Sequence, residues 1–183
     1  LYVASGGNEF DLGDKALADR LYINDGVGNF KKSKRALPDI NESTQCVKSA
    51  DIDKDGDLDL FVGNRLIPRK YTFPASSYLL INENGIFKKA DKEIAAGLQD
   101  IGMVTDAVFT DINNDGNTDL MVVGEWMEIK LFINIDGKFV SLSDFNDAKG
   151  FIIVFTCNTC PYAVLYEDRI EALNKKYTSQ RKN

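Results

Sequence analysis

An Asp-rich decapeptide occurs twice in this chain, 60 residues apart, and no other feature limits the fold as tightly. Asp51-Ile52-Asp53-Lys54-Asp55-Gly56-Asp57-Leu58-Asp59-Leu60 returns without a gap as Asp111-Ile112-Asn113-Asn114-Asp115-Gly116-Asn117-Thr118-Asp119-Leu120. Each copy runs into an apolar segment, LFVG at 60–63 and LMVVG at 120–124, and LYVASGG at 1–7 matches both. Leu1 therefore aligns with Leu60 and Leu120, just after the place where a further Asp-rich loop would stand. A recurring period of this size marks a repeat architecture, in which each unit buries its apolar face against its neighbours.

A second element recurs in the same order. Leu21-Tyr22-Ile23-Asn24, Leu79-Leu80-Ile81-Asn82 and Leu131-Phe132-Ile133-Asn134 each lead through a Gly-containing turn to Phe30, Phe87 and Phe139. Asn84-Gly85 and Asp136-Gly137 at two of the bends tolerate the positive φ that short hairpins need. One unit then reads as strands near 44–50, 58–63, 77–82 and 85–89, and the next as strands near 104–110, 118–123, 129–134 and 138–141. Four short antiparallel strands per repeat predict a mainly β fold, a partial β-propeller of four-stranded blades. A β-sandwich with turn-rich loops is the alternative.

Carboxylates at alternate positions repel one another unless a cation sits among them. The hard divalent cation with six to eight oxygen ligands is calcium. Gly56 and Gly116 permit the tight bend that turns the oxygens inward. The expected side-chain ligands are Asp51, Asp53, Asp55 and Asp59, then Asp111, Asn113, Asp115 and Asp119, with Asp57 and Asn117 giving backbone carbonyls. Without a metal the same residues make a solvated turn. An EF-hand needs Glu at its twelfth position and flanking helices; Val62 and Val122 stand there, between β-type segments.

The charge balance agrees with local cation binding. The net charge is −6, and residues 151–183 carry five Lys/Arg against three Asp/Glu, so residues 1–150 hold −8. Such a body repels phosphate backbones, and no nucleic-acid partner is expected. The chain has no histidine, which excludes Ser-His-Asp and Cys-His catalysis within it. No apolar run approaches the roughly 18 residues that span a bilayer, so no membrane insertion is expected.

DIDKDGDLDLFVG and DINNDGNTDLMVVGEW resemble the FG-GAP/VCBS repeats of secreted bacterial proteins, including those that carry an ASPIC/UnbV domain. The resemblance covers residues 1–139. It implies a β-propeller with structural calcium in the loops between the first two strands of a blade. It also implies an extracellular, periplasmic or cell-surface location and adhesion or ligand binding rather than catalysis. A propeller closes with roughly 4–8 blades, so one partial and two near-complete blades imply part of a longer chain. The loops at 5–19, 64–76 and 124–128 are the expected face for a protein or glycan ligand. Tyr71, Phe73 and Trp126 lie in or beside them, and Trp126 is expected to pack between blades.

Residues 140–183 follow another pattern. Phe151–Phe155 is a continuous apolar run, Cys157-Asn158-Thr159-Cys160 follows, and a helical pattern extends from Ala163 to Tyr177. Strand, CxxC and helix in that order resemble the opening of a redoxin-type, thioredoxin-like domain. The resemblance implies a redox pair in which Cys157 attacks and Cys160 resolves. It also implies an alternative function, thiol-disulfide exchange. The motif lacks the Trp before the first Cys and the Pro before the second, and the segment is too short for the whole fold. Cys46 is expected as a buried or free structural thiol.

Overall fold

The computed structural model describes residues 1–135, 137–141 and 167–180. Residues 1–146 form one unit and 147–183 a second. The CxxC motif, and with it Cys157 and Cys160, lies outside the described residues.

The first unit is built of three antiparallel sheets, each in simple sequence order. Blade A holds β1 (Tyr2–Val3), β2 (Arg20–Asn24) and β3 (Phe30–Lys32). Blade B holds β4 (Ser43–Ala50), β5 (Asp59–Leu66), β6 (Tyr78–Glu83) and β7 (Ile86–Lys89). Blade C holds β8 (Met103–Thr110), β9 (Asp119–Glu125), β10 (Lys130–Ile135) and β11 (Lys138–Ser141). Strands stand where the repeat predicts them, with the second strand of blades B and C running two or three residues further. The architecture is mainly β, as the blade pattern requires.

Local chemistry explains these elements. The β6–β7 hairpin turns on Asn84 and Gly85 with φ 55° and 85°, the pair of positive φ values that a two-residue turn of matching twist needs. The first two strands of blades B and C pair through a bulge at equivalent places, between Thr44 and Cys46 and between Val104 and Asp106. Below the bulges the register continues as Ala50 opposite Asp59 and Thr110 opposite Asp119, so each Asp-rich loop closes a β-hairpin.

Period-two alternation places successive side chains on opposite faces of each blade. Phe61 and Leu79 of blade B therefore meet Val104, Leu120, Val122, Phe132 and Phe139 of blade C in one core, with Phe132 and Phe139 edge to face at 6.4 Å. Leu60, Val62 and Leu80 face the other way, toward Ile40, Leu37 and Tyr2. Each fully buried Leu or Phe contributes about 1.5–3 kcal/mol from its transfer out of water. Close approach leaves no room at Gly63, where a Cβ would lie 2.7 Å from both Cys46 Sγ and Val104 Cγ1.

In the second unit one helix is described, α1 (Glu167–Gln180). It overlaps the expected helical stretch, of which residues 163–166 lie outside the described residues. Lys175 pairs with Glu171 one turn before it at 2.5 Å. Among the described residues no helix is long and apolar enough to cross a membrane.

Candidate metal centre

Both Asp-rich loops fold alike. Lys54 and Asn114 take φ 65° and 58°, and Gly56 and Gly116 take 95° and 83°. The left-handed bend points backbone N–H groups at the loop's own carboxylates. Gly56 N donates to Asp51 Oδ2 at 3.1 Å and Asp57 N to Asp55 Oδ1 at 2.8 Å. Gly116 N donates to Asp111 Oδ2 at 2.9 Å and Asn117 N to Asp115 Oδ1 at 2.7 Å.

The ninth residue of each loop does a different job. Asp59 and Asp119 are both fully buried. Asp59 Oδ2 accepts from Ile52 N at 3.0 Å and Oδ1 from Asn82 N at 2.8 Å. Asp119 repeats this with Ile112 N at 2.8 Å and Asn134 N at 2.7 Å. Each carboxylate thus ties the start of its loop to the third strand of the blade. The partner asparagine completes the lock. Asn82 Nδ2 donates to Leu58 O at 3.1 Å while its Oδ1 accepts from Gly85 N at 2.7 Å. Asn134 does the same with Thr118 O at 3.2 Å and Gly137 N at 2.9 Å. This asparagine recurs with Asn24 in the sequence, and its fixed place before each hairpin turn is the signal that marks it.

The loops differ in how well their oxygens are satisfied. Asp51, Asp53 and Asp59 bring one carboxylate oxygen each to within 4.8 Å of one another, the one such acidic group among the described residues. Asp51 Oδ1 is buried and has no hydrogen-bond partner. Burial holds Asp59 above the usual carboxylate range, the charges of Asp53 and Asp55 add to this, and the bonds from Asn82 and Ile52 oppose it. In the second loop Asn113 replaces one carboxylate, and Asp111 Oδ1 accepts from Asp115 N at 3.1 Å. Asp115 lies below the usual range, held there by the N–H of Asn117 and then by the Asn113 side chain.

The first loop therefore fits a hard divalent cation. Its donors are all oxygen, three carboxylates converge, and a desolvated carboxylate oxygen without a partner costs free energy that a cation would recover. Asp51, Asp53 and Asp59 would hold it. The trio does not include Asp55, and Asp57 Oδ2 is engaged by Asn84 N at 3.2 Å. In the second loop Asp111, Asn113 and Asp119 stand at the trio's positions with Asp115, hydrogen-bonded to Asn113, beside them, and the loop carries two fewer carboxylates because Asn113 and Asn117 replace Asp53 and Asp57.

The long loops gather on one side. Arg69 N donates to Asn8 Oδ1 at 2.8 Å, and its guanidinium reaches Glu9 O at 3.0 Å and Asp11 at 2.7 Å. Tyr71 Oη and Arg65 Nη2 both donate to Glu125, at 3.3 and 2.7 Å. Loops of all three blades are thereby linked. Trp126 corrects the expectation of burial between blades. It stands 85% exposed with φ 54°, because the turn after β9 aims it away from the blade C core. Tyr71 and Phe73 are exposed as well. Cys46 is a free, half-buried thiol, and burial and then the charge of Asp106 push it up to about 11.

No curated protein and no solved structure matches the chain. The FG-GAP-like repeat family model matches residues 1–62, from blade A through the first Asp-rich loop into β5, and over that stretch the chain is similar to that family.

Proposed function

We propose that residues 1–139 form a calcium-stabilised β-propeller module that binds a protein or glycan ligand outside the cytoplasm, in the periplasm, at the cell surface or in the medium, without catalysis. One observation carries the reading. A convergent carboxylate trio with a buried, unpartnered Asp51 oxygen sits on a loop that the chain repeats 60 residues later. Calcium bound there is structural: it offsets the repulsion among carboxylates and pins each loop to its hairpin. The similarity to FG-GAP-like repeats supports a module of propeller type. The ligand surface is the side where the long loops meet, with Trp126, Tyr71 and Phe73 exposed on it.

A thermal melt tests this. A ligand that binds only the native state raises stability by mass action. Calcium at about 1 mM, a level matched to weak extracellular sites, raises Tm relative to excess EGTA. The double variant Asp53→Ala, Asp115→Ala loses the shift. An unchanged Tm in the parent protein defeats the reading.

The Cys157-x-x-Cys160 motif favours a second reading, thiol-disulfide exchange by the C-terminal segment. Reduction of insulin by dithiothreitol, with and without the protein, tests it. Acceleration that survives Cys157→Ser removes that reading.

A further inference from the structure

Ile52 stands between two expected ligands of the first loop, yet it is 3% exposed and belongs to the core shared by blades B and C. Both of its backbone polar groups are fixed. Its N–H donates to Asp59, and its carbonyl accepts from Asn134 Nδ2 of blade C at 3.0 Å in a buried bond. Asn134 spends one amide hydrogen on its own blade, through Thr118 O, and the other on the neighbour's loop. The equivalent Asn82 makes the bond within its own blade, to Leu58 O. In the second loop Ile112 is 38% exposed.

From this geometry we infer that Asn134 is a positioning residue that couples the first cation loop to the docking of blade C on blade B. The inference rests on the calcium reading of the Asp-rich loops. The carbonyl of Ile52 lies between Asp51 and Asp53 in the chain, so whatever fixes that peptide fixes where both carboxylates start. Blade C fixes it twice, by packing the Ile52 side chain and by holding its carbonyl. Linkage makes the effect reciprocal. Docked blade C organises the first loop for the cation, and the cation tightens the interface between blades. The second loop receives no such help from the described residues.

The experiment isolates the first loop by disabling the second with Asp115→Ala. Calcium is titrated calorimetrically into this variant and into Asp115→Ala, Asn134→Ala. The expected result is a rise of about tenfold in Kd, within the usual range of coupling between sites. An unchanged Kd overturns the inference while leaving calcium binding intact. No heat in the Asp115→Ala parent means instead that the calcium reading of the first loop has failed, and the coupling falls with it. Amide exchange guards against a variant that does not fold. In the Asp115→Ala protein, calcium slows exchange in β8–β11 as well as around residues 51–59. Protection confined to blade B overturns the coupling.

Discussion

The two Asp-rich loops share a backbone and differ in their surroundings. Loop one, 51–59, carries five carboxylates and leaves a buried oxygen of Asp51 without a partner. Loop two, 111–119, carries three, and Asn113, Asn114 and Asn117 take the places of Asp53, Lys54 and Asp57. Asparagine donates as well as accepts, so loop two closes its own hydrogen bonds, as Asn113 does with Asp115 at 2.9 Å. It also tolerates left-handed backbone better than Lys54. One repeat motif can thus be built two ways. Loop one leaves a buried carboxylate oxygen without a partner, and loop two pairs its oxygens within itself. Loop one is also built into the interface between blades, through Ile52.

Removing the buried locks gives the largest expected effects. Asp59→Ala leaves the N–H groups of Ile52 and Asn82 without their acceptor, and Asp119→Ala does so to Ile112 and Asn134. At each position one of the two N–H groups is buried and the other partly so; an unsatisfied buried group costs about 1–3 kcal/mol, so each variant loses up to roughly 6 kcal/mol in chemical unfolding. A loss under about 1 kcal/mol at either position means the lock is not structural. Next comes Ile52→Ala against Ile112→Ala. Truncation of a buried Ile costs about 2–5 kcal/mol, and the half-exposed Ile112 should lose less than half as much. Equal losses break the contrast between the loops.

A pH effect at the same interface follows. Cys46 on β4 and Asp106 on β8 occupy equivalent positions, and Lys48 bridges to Asp106 at 2.7 Å. The folded thiol is raised from 9.0 to about 11. The folded chain keeps this proton through that window while the unfolded chain releases it. Stability from this group is therefore present below pH 9 and is lost as pH rises toward about 11. Two pKa units mean a thiolate population about 100-fold smaller at pH 8. Disulfide-reagent labelling of Cys46 in a Cys157→Ser, Cys160→Ser background should be slower in the fold by that order. Equal rates folded and in urea contradict it.

Lys54→Gly removes a left-handed lysine, and relief of backbone strain offsets the added chain entropy, for a gain up to about 1 kcal/mol. Asn114→Gly gains less. Trp126→Ala, at an exposed site, should change stability by less than about 0.5 kcal/mol.

The strands were legible because the period repeats every cue at once: apolar alternation, the Asn-Gly bend and the Asp-Gly loop. The acidic trio was legible for the same reason, except that Asp55 faces its own turn, which only the folded loop decides. The bond from Asn134 to Ile52 was not legible. It joins residues 82 apart in the chain and depends on which blade face turns inward. Nor was the direction of Trp126, since size and apolarity favour burial but the turn after β9 sets the outcome.

The most direct test is the number of calcium ions bound at equilibrium, measured by dialysis against about 1 mM calcium. The account predicts two per chain in the parent protein, one in Asp53→Ala and one in Asp115→Ala, with the site that Asp53→Ala leaves being the weaker. No bound calcium, or binding that survives both substitutions together, contradicts it.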